Sequence, residues 1–363
     1  MSRLRIGIVG CGWVAGSQVE RGFSQLMDLF EVTACCDRTP DKAAAFAAAY
    51  GIPATTPDYD ALLARDDVDV VSICTPPSLH HEMIVAALEA GKHAISEKPL
   101  TSSLALTDDL IRREGNATSR VMPIFQYRFG PGLSKIRALL RSDLPGRAFV
   151  SSVETAWKRG ADYYEVPWRG KFATELGGVL LTQAIHIHDI FLDLRGDVAA
   201  VNAFRDTRVN PIEVEDCAVA SLKMADGSLA TLTATLGSMR PVTRLRFCFE
   251  NLTVERQCFD AEAPKPGLDP WTVIGRTPEI EAKAKAIMAA APDTGTDFEG
   301  QFRDFHAAIE GGRPFAVSLS EARRSMELVT ALFHASSTGT QVALPIGPEH
   351  PLYEGWVPTG VVA

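Results

Sequence analysis

The stretch RIGIVGCGWVA at residues 5–15 decides the fold of the N-terminal third of the chain. Residues 6–10 are apolar or glycine and read as a short buried strand, and a helical stretch follows from about Val14. In a GxGxxA pattern the first glycine permits a tight turn, the second lets the backbone approach a pyrophosphate, and the small last residue allows close helix–strand packing. The helix N-terminus also attracts phosphate. We therefore predict a dinucleotide-binding loop that consists of Gly10, Gly12, Trp13, Val14 and Ala15.

An acidic residue lies at the position where dinucleotide-binding domains have the carboxylate that binds the adenosine ribose. Asp37 lies 22 residues beyond Ala15, at the end of the next apolar stretch, residues 32–36. A carboxylate at this place binds the adenosine ribose of NAD and repels the 2′-phosphate of NADP. Arg38 follows directly, and an arginine there can accept that phosphate. The sequence predicts NAD as the cofactor and leaves NADP open because of Arg38.

Strands and helices alternate through the first third of the chain. The apolar stretches 5–10, 32–36, 68–74, 93–96 and 121–125 read as strands, and helical segments separate them. Strands that are apolar throughout are typical of a parallel sheet whose two faces are covered by helices. We predict an α/β fold with an N-terminal Rossmann domain, a doubly wound parallel sheet, over residues 1–124.

The pattern changes after residue 124. Alternating apolar and polar residues predict strands over 148–157, 199–206, 216–224, 228–236, 244–250 and 252–259. Asp226-Gly227 separates two of these strands and is a strong hairpin signal. Residues 260–296 are weakly patterned and read as a long excursion, and two helices, 298–310 and 320–336, follow. We predict a second α/β domain, residues 125–363, with a large, mainly antiparallel, open-faced sheet for substrate binding and oligomerisation.

The composition argues against several classes of protein. The 363 residues carry a formal net charge of −9 and no run of Lys or Arg, so we expect no nucleic acid and no membrane surface as a partner. No apolar stretch reaches the roughly 18 residues that a transmembrane helix needs. The N-terminus runs directly into a strand, which leaves no room for a signal peptide. The seven cysteines form no CxxC pair, so we expect reduced thiols in a cytoplasmic protein.

Polar residues follow three predicted strands of the first domain, as Thr75-Pro76-Pro77, Glu97-Lys98-Pro99 and Gln126-Tyr127-Arg128. Ligands of doubly wound sheets bind at these carboxyl ends. An alcohol that is oxidised by hydride transfer must also lose its hydroxyl proton. A partly desolvated lysine beside a positive nicotinamide ring has its pKa lowered toward the range of a general base. Lys98 is the predicted base, because the strand end aims it and the following proline fixes the chain.

A second group of polar residues lies on a predicted helix, residues 179–194, that is otherwise apolar. Spacings of four, three and four residues place this group on one face, with Gln183 beside it. Compact polar side chains on a mostly buried helix are typical of the wall of a ligand site. The glycine pair 177–178 before the helix would let backbone approach a ligand. The group consists of Thr182, His186, Asp189 and Asp193.

The same helix carries two histidines, His186 and His188. Residues two apart point to different sides of a helix, so this pair cannot chelate a metal ion. The other histidines show no ligand spacing. We therefore predict no metal site.

These motifs resemble those of the Gfo/Idh/MocA family, which is the glucose–fructose oxidoreductase and inositol dehydrogenase type. The resemblance rests on the glycine loop, on Thr75-Pro76-Pro77 with His80 behind it, on Ala90-Gly91-Lys92-His93 leading to Glu97-Lys98-Pro99-Leu100, and on Gly177-Gly178 followed by His186 and Asp189. Tyr163-Tyr164, Trp168-Arg169-Gly170 and Gln301-Phe302-Arg303-Asp304-Phe305 extend it over nearly the whole chain. The family implies a Rossmann domain, an open sheet that forms dimer or tetramer interfaces, and NAD(P)-linked oxidation or reduction of a sugar or polyol hydroxyl.

Carried over by position, Lys98 would be the catalytic lysine and His186 the partner that holds or exchanges the substrate proton. The cofactor side would further include Thr75, Pro76, Pro77, His80, Glu97 and Gln126. The substrate side would further include Arg128, Tyr163, Trp168, Arg169, Thr182, Gln183 and Asp189. Two positions depart from the family pattern, since many members have Asp at the place of Thr182 and glycine at the place of Leu176. Without that carboxylate, Lys98 and His186 would transfer the proton alone or through Gln183 and water.

The leading hypothesis is a dehydrogenase that transfers hydride between NAD(P) and a secondary hydroxyl of a sugar, sugar acid, polyol or nucleotide sugar. A small-molecule carbohydrate would be its partner, and a homodimer or homotetramer would form through the C-terminal sheet. Two alternatives share the glycine loop: an NAD-dependent, redox-assisted glycoside hydrolase, and a regulator that binds NAD and sugar without chemistry. The sequence barely distinguishes the glycoside hydrolase from the dehydrogenase, because both would have the same glycine loop. Lys98 and His186 weigh against the second, because a pure binder needs no positioned base.

Overall fold

The computed structural model describes residues 3–259, 266–268 and 270–357. The chain divides into two compact units. Unit 1 consists of Met1–Gln126 and Asp297–Arg323, and unit 2 consists of Tyr127–Thr296 and Arg324–Ala363. The first boundary thus falls after residue 126 rather than after residue 124, and a segment near the C-terminus that the sequence assigns to the second domain groups with the first.

The described residues of unit 1 form a six-stranded sheet. Its strands are β1 (Leu4–Val9), β2 (Phe30–Cys36), β3 (Ala54–Thr56), β4 (Val70–Ile73), β5 (His93–Ser96) and β6 (Val121–Pro123). They lie in the order β3-β2-β1-β4-β5-β6, and every neighbouring pair is parallel. The order reverses between β1 and β4, which is where doubly wound sheets bind ligands. The predicted parallel sheet is confirmed, and β3 is a strand that the pattern did not predict.

Helices connect these strands: α1 (Trp13–Arg21), α2 (Pro40–Tyr50), α3 (Tyr59–Leu63), α4 (His80–Glu89) and α5 (Leu104–Glu114). The ends of α2 follow from its sequence. Pro40 suits the first turn because a helix start needs no backbone N–H there, and Gly51 ends the helix with a φ of 67°. At the start of α5, the hydroxyl of Ser103 accepts a hydrogen bond from the N–H of Leu106 at 3.2 Å.

The described residues of unit 2 form an eight-stranded sheet. Its strands are β7 (Ala148–Lys158), β8 (Val198–Asp206), β9 (Cys217–Met224), β10 (Leu229–Thr235), β11 (Gly237–Phe249), β12 (Leu252–Cys258), β13 (Thr272–Gly275) and β14 (Val342–Ala343). They lie in the order β13-β12-β11-β7-β10-β9-β8-β14. Only β7 and β10 pair in parallel; the other neighbours are antiparallel. The mainly antiparallel sheet is confirmed, as is the turn at Asp226-Gly227 between β9 and β10.

The two faces of this sheet differ in burial. Along β10, the side chains of Ala230, Leu232 and Ala234 are buried, and those between them are exposed. The alternation follows from the strand geometry, because successive side chains point to opposite faces. The exposed face also carries Phe204 and Val219, which lie directly opposite each other across β8 and β9.

Helices also flank the sheet of unit 2: α6 (Pro131–Leu140), α7 (Phe172–Glu175), α8 (Val179–Thr182), α9 (Ile185–Arg195) and α10 (Pro278–Ala289). The prediction of one helix over 179–194 is wrong, because the chain breaks between α8 and α9. There the N–H of Ala184 bonds to the carbonyl oxygen of Val179 at 2.8 Å, five residues back instead of four, which widens the turn. The predicted excursion at 260–296 contains β13 and α10, and its residues 260–265 and 269 lie outside the described residues.

The last two helices, α11 (Asp297–Gly311) and α12 (Leu319–Thr338), agree with the prediction. Aromatic packing explains why α11 groups with unit 1. The ring of Phe302 stacks on Phe23 with centroids 4.3 Å apart and meets Phe30 edge-on. All three rings are buried in the core of unit 1. Among the helices of the described residues, none combines the length and the apolar character that crossing a bilayer requires.

Candidate active site

The loop after β1 has an open side. Gly10 adopts a φ of +86°, and a Cβ there would lie 2.9 Å from the carbonyl oxygen of Cys74, so a side chain does not fit. A Cβ at Gly12 would meet nothing within 4 Å. No side chain caps the start of α1, and Ala15 is fully buried where the pattern needs a small residue. An open glycine at an uncapped helix start is an arrangement that accepts a phosphate group.

Asp37 follows the end of β2 and is bound to this loop. Its carboxylate accepts hydrogen bonds from the N–H groups of Cys11 and Thr39, each at 3.0 Å, and pairs with the Lys42 ammonium at 3.0 Å. Burial alone would raise the pKa of Asp37, but the bonds from Thr39, Lys42 and Cys11 outweigh burial and lower this pKa. Asp37 is therefore an ionised carboxylate at neutral pH.

Two residues predicted to bind the cofactor are exposed beside the loop. Trp13, the first residue of α1, has 80% of its surface exposed. Arg38 is exposed directly after Asp37. Neither side chain is engaged in the core, so both are accessible to a ligand at this edge.

A buried polar network that no local sequence pattern predicts ties α1 to the lysine turn. Gln18 on α1 donates from Nε2 to the carboxylate of Glu97 at 2.8 Å and accepts from the hydroxyl of Ser72 on β4 at 2.6 Å. All three side chains are buried, and burial raises the pKa of Glu97. Because Glu97 directly precedes Lys98, the network fixes the chain at Lys98 relative to α1.

His80 ties together the turns that follow β4 and β5. Its Nδ1 lies 2.8 Å from the carbonyl oxygen of Pro99, and its Nε2 lies 2.9 Å from that of Thr75. The ring is fully buried, and burial lowers its pKa, so it is neutral and donates to one carbonyl at a time. His80 thus lies behind these turns. Lys98, between them, is partly buried.

The remaining predicted cofactor residues lie on the same turns. Thr75 and Pro76 are partly buried, and Pro77 is buried. Gln126 is buried, and its Oε1 atom has no hydrogen-bond partner among the described residues. Buried acceptors without a partner are uncommon in folded proteins, so this oxygen is an acceptor that a ligand could satisfy.

The glycine pair 177–178 of unit 2 is predicted to let backbone approach a ligand, but Gly178 lies against the protein's own backbone. A Cβ at Gly178 would lie 1.7 Å from the carbonyl oxygen of Glu215, so this glycine makes room for the protein's own backbone and not for a ligand. The carboxylate of Glu215 accepts hydrogen bonds from the N–H groups of Gly178 and Leu180, each at 3.1 Å. The carbonyl oxygen of Glu215 accepts from Val179 at 2.8 Å. Burial raises the pKa of Glu215 to about 7.

The end of α8 leads into a chain of hydrogen bonds. The hydroxyl of Thr182 contacts the side-chain oxygen of Gln183, whose Nε2 donates to the hydroxyl of Tyr163 at 2.9 Å. Arg169 donates to the same hydroxyl, and its guanidinium lies over the rings of Tyr163 and Trp168, 3.9 and 4.4 Å from their centroids. The structure thus brings five of the predicted substrate residues into one cluster.

Arg128 and Asp189 require a correction. Both are predicted to contact substrate, whereas the structure pairs them with each other: Nε and Nη2 of Arg128 donate to the two carboxylate oxygens of Asp189 at 2.6 and 2.7 Å. Ser325 donates to the same carboxylate at 3.1 Å. Burial raises the pKa of Asp189 to about 6 although Arg128 opposes the rise. The pair is buried and its polar atoms face each other, so it anchors α9.

The two histidines of α9 have different surroundings. His186 stacks on the ring of Tyr127, with centroids 4.5 Å apart and planes at 22°. His188 is fully buried, neither ring nitrogen has a hydrogen-bond partner in the described part of the chain, and burial lowers its pKa to about 4. Within residues 3–259, 266–268 and 270–357, no group of three or more side chains could hold a metal ion.

Two family models match this chain. The oxidoreductase family with an NAD-binding Rossmann fold matches residues 4–125, and the Gfo/Idh/MocA C-terminal domain matches residues 133–255. The chain belongs to the Gfo/Idh/MocA oxidoreductase family. The resemblance inferred from the motifs is confirmed, and the parallel and mainly antiparallel sheets of the two units are those of Gfo/Idh/MocA proteins.

Curated Gfo/Idh/MocA relatives match part of the chain. D-glucoside 3-dehydrogenase of Escherichia coli (strain K12) is 31% identical over 211 residues, which cover 56% of this chain and 57% of the relative. Levoglucosan dehydrogenase of Pseudarthrobacter phenanthrenivorans is 26% identical over 259 residues, 68% of this chain and 65% of the relative. The matches therefore span less than two thirds of the length of these relatives.

A solved structure shares the fold over more of the chain. The WlbA dehydrogenase from Bordetella pertussis, crystallised in complex with NADH and UDP-GlcNAcA, superimposes with a TM-score of 0.83. The superposition covers 95% of this chain and 100% of that chain at 23% sequence identity. At this identity the likeness establishes the Gfo/Idh/MocA fold.

Proposed function

We propose that this Gfo/Idh/MocA protein is an NAD-dependent dehydrogenase. It transfers hydride between the nicotinamide and a secondary hydroxyl of a sugar, sugar acid, polyol or nucleotide sugar. The names of the relatives support this substrate class, since they are dehydrogenases of D-glucoside and levoglucosan. A cytoplasmic location belongs to the proposal, because none of the seven cysteines is in a disulfide, as is usual in a reducing compartment.

One observation carries the proposal: the buried link between the glycine-loop helix and the lysine turn. Gln18 on α1 holds Glu97 at 2.8 Å, and Lys98 is the next residue. In the sheet, β5 lies two places from β1, so the ends of both strands lie along the same edge. Ligands of such sheets bind along that edge. Lys98 is therefore held beside the crevice that a dinucleotide on Gly12 would occupy.

The residues of unit 1 fit NAD. The open space at Gly12 and the uncapped start of α1 suit the pyrophosphate, and the carboxylate of Asp37 suits the ribose hydroxyls. The unpartnered Oε1 of Gln126 suits a donor group of the cofactor. Thr75, Pro76 and Pro77 would line the crevice, whereas His80 and Glu97 act from behind as positioning residues.

The chemistry requires two transfers. Bound NAD supplies the hydride acceptor. Oxidation of an alcohol removes a hydride from carbon and a proton from oxygen, and the proposal assigns that proton to Nζ of Lys98. His186 would hold or exchange the proton, and reduction would run the same steps in reverse. Thr182 stands where many family members have a carboxylate. Proton transfer would therefore use Lys98 and His186 without a third titratable side chain.

The substrate side of the proposal uses the cluster around Tyr163. Aromatic rings suit the apolar faces of a sugar, and hydroxyl, amide and guanidinium groups suit its oxygens. The residues assigned to this side are Tyr163, Trp168, Arg169, Thr182, Gln183 and His186. Arg128 and Asp189 keep a positioning role, because they hold α9 through their own ion pair.

The proposal includes a homodimer or homotetramer that forms through the exposed face of the unit 2 sheet. Phe204 is 75% exposed, Leu229 is 56% exposed and Val219 is 49% exposed. Apolar side chains on an open sheet face fit an interface between copies of the chain. Sedimentation equilibrium that gives the mass of a monomer would contradict this part.

A panel of sugars, sugar acids, polyols and nucleotide sugars, screened with NAD for the appearance of NADH, tests the function. With an active substrate, Lys98→Ala should leave NAD affinity nearly unchanged and lower kcat by roughly 10²- to 10⁴-fold, as expected for loss of a general base. Lys283→Ala, at an exposed lysine of α10, is the matched control and should keep full activity.

Other outcomes would overturn the proposal in recognisable ways. Unchanged turnover in Lys98→Ala would remove Lys98 from the mechanism. Release of reducing sugar without net NADH would favour the glycoside hydrolase. Tight NAD binding without turnover across the whole panel would favour the regulator.

A further inference from the structure

We propose that Glu215 is a positioning residue of the substrate side, which holds the segment from Gly178 to His186 in place through its backbone. The inference rests on the proposed function, because it concerns the segment that carries Thr182, Gln183 and His186. Glu215 is 1% exposed and its polar contacts are with the protein's own backbone, so it acts through other residues.

Three consecutive N–H groups converge on this one residue. The first N–H groups of a helix have no partner within the helix and must find one elsewhere. At the start of α8, the N–H groups of Gly178 and Leu180 meet the carboxylate of Glu215, and the N–H of Val179 meets its carbonyl oxygen. The contact is close enough that a Cβ at Gly178 would overlap the same carbonyl oxygen. The backbone of residue 215 therefore requires glycine at position 178, and the Glu215 carboxylate accepts the N–H groups on either side of Val179.

The anchor controls where the proposed substrate residues lie. Helix α8 is a single turn, and the Thr182 hydroxyl lies 2.8 Å from the carbonyl oxygen of Gly178. Gln183 follows and donates to Tyr163. The break before α9 means that a continuous helix does not hold this segment. A shift of Gly178 would thus move Thr182 and Gln183 directly.

The charge of Glu215 is balanced mainly by backbone dipoles. Arg205 on β8 attracts it, but the two form no ion pair, and the Arg205 guanidinium lies over the ring of Phe333, 4.2 Å from its centroid. The neighbouring Asp216 accepts from the N–H groups of a different turn, residues 208–210. Because burial raises the pKa of Glu215 to about 7, its carboxylate loses an acceptor site to a proton below that pH.

Glu215→Gln is the test variant, because it keeps the shape and removes the charge at every pH. The matched control is Glu213→Gln, two residues earlier on the same segment and exposed; its carboxylate accepts from the N–H of Phe172 at 3.2 Å, a bond that the oxygen of glutamine can also accept. Kinetics with an active sugar should show kcat about tenfold lower for Glu215→Gln at about pH 8, with KM for NAD unchanged. The difference from wild type should shrink below about pH 7, where wild-type Glu215 is itself protonated. Glu213→Gln should match wild type throughout.

Hydrogen exchange of a peptide covering residues 177–183 gives a second readout that needs no substrate. Faster exchange in Glu215→Gln than in Glu213→Gln is expected, because N–H groups without a strong acceptor open more often. Equal exchange in both variants would overturn the anchor. Faster exchange with a wild-type kcat at every pH would overturn the positioning role. A wild-type protein that oxidises no sugar would contradict the proposed function. The hydrogen-exchange result would still decide whether Glu215 anchors the start of α8.

Discussion

Two glycine turns precede a helix in this molecule, and they serve opposite purposes. At Gly12 a side chain would meet nothing, and the helix that follows has no side-chain cap. At Gly178 a side chain would strike the backbone of Glu215, whose carboxylate already fills the anion position at the helix start. The first turn is open to a ligand, whereas the second is closed by the protein itself.

The carboxylates beside the two turns also differ, in their ion-pair partners and in the direction of their pKa shifts. Asp37 has an ammonium partner in Lys42 and a lowered pKa, so it stays charged for a ligand. Glu215 has no ion-pair partner within the described residues, and burial raises its pKa to about 7. A glycine turn is thus open to a ligand only when no other part of the chain occupies its N–H groups. At Gly178 a residue distant in sequence, Glu215, occupies them.

Gly178→Ala should have the largest effect on stability. The added Cβ would lie 1.7 Å from the Glu215 oxygen, so backbone must move, and the free energy of unfolding of unit 2 should fall by at least about 3 kcal/mol. Gly12→Ala is the matched control and should stay within about 0.5 kcal/mol of wild type, since its Cβ meets no atom. Thermal unfolding of both variants checks this. Equal stabilities of the two variants would contradict the claim that the Gly178 turn is closed and the Gly12 turn is open.

Asp37→Asn should change the choice of cofactor. Wild type should prefer NAD, because an ionised carboxylate repels the 2′-phosphate of NADP. The ratio of kcat/KM for NAD over NADP should fall about tenfold in the variant, which corresponds to ~1.4 kcal/mol. Arg38→Ala is the companion variant and should weaken NADP without weakening NAD. A wild-type preference for NADP would show that Arg38 dominates this edge.

His188→Leu should give a smaller gain in stability. Both ring nitrogens are buried without partners among the described residues, so their removal should raise the free energy of unfolding by ~1 kcal/mol at about pH 8. The folded pKa of about 4 lies below the ordinary 6.5, so the unfolded chain binds more protons between these values. Wild type therefore loses stability as pH falls from 6.5 toward 4, and the advantage of the variant should widen. Urea unfolding over this range is the measurement, and a destabilised variant would mean that His188 has a polar partner.

Local signals account for what the sequence predicted well. Thr39-Pro40-Asp41 predicts the start of α2, and α2 begins at Pro40. The same signal, Thr277-Pro278-Glu279, precedes α10, which lies inside the predicted excursion 260–296. This local signal is sufficient to predict the start of α10, but the proline- and alanine-rich residues around it obscure the helical pattern.

Long-range contacts account for what the sequence did not predict. The break between α8 and α9 arises where Glu215 and Tyr163 hold the chain, and neither residue is near in sequence. The pairing of Arg128 with Asp189 joins residues 61 positions apart, so spacing on a helix face showed the polar stripe but not its partner. The adjacent carboxylates of Glu215 and Asp216, directly before β9, are the sign of an anchor that the sequence offers.

Isothermal titration of NAD into wild type and Gly12→Val tests the central claim most directly. The account predicts one NAD per chain for wild type and an affinity at least about 100-fold weaker for the variant, because the valine side chain would occupy the open space while leaving the fold intact. Equal affinities, or no binding to wild type, would contradict the account.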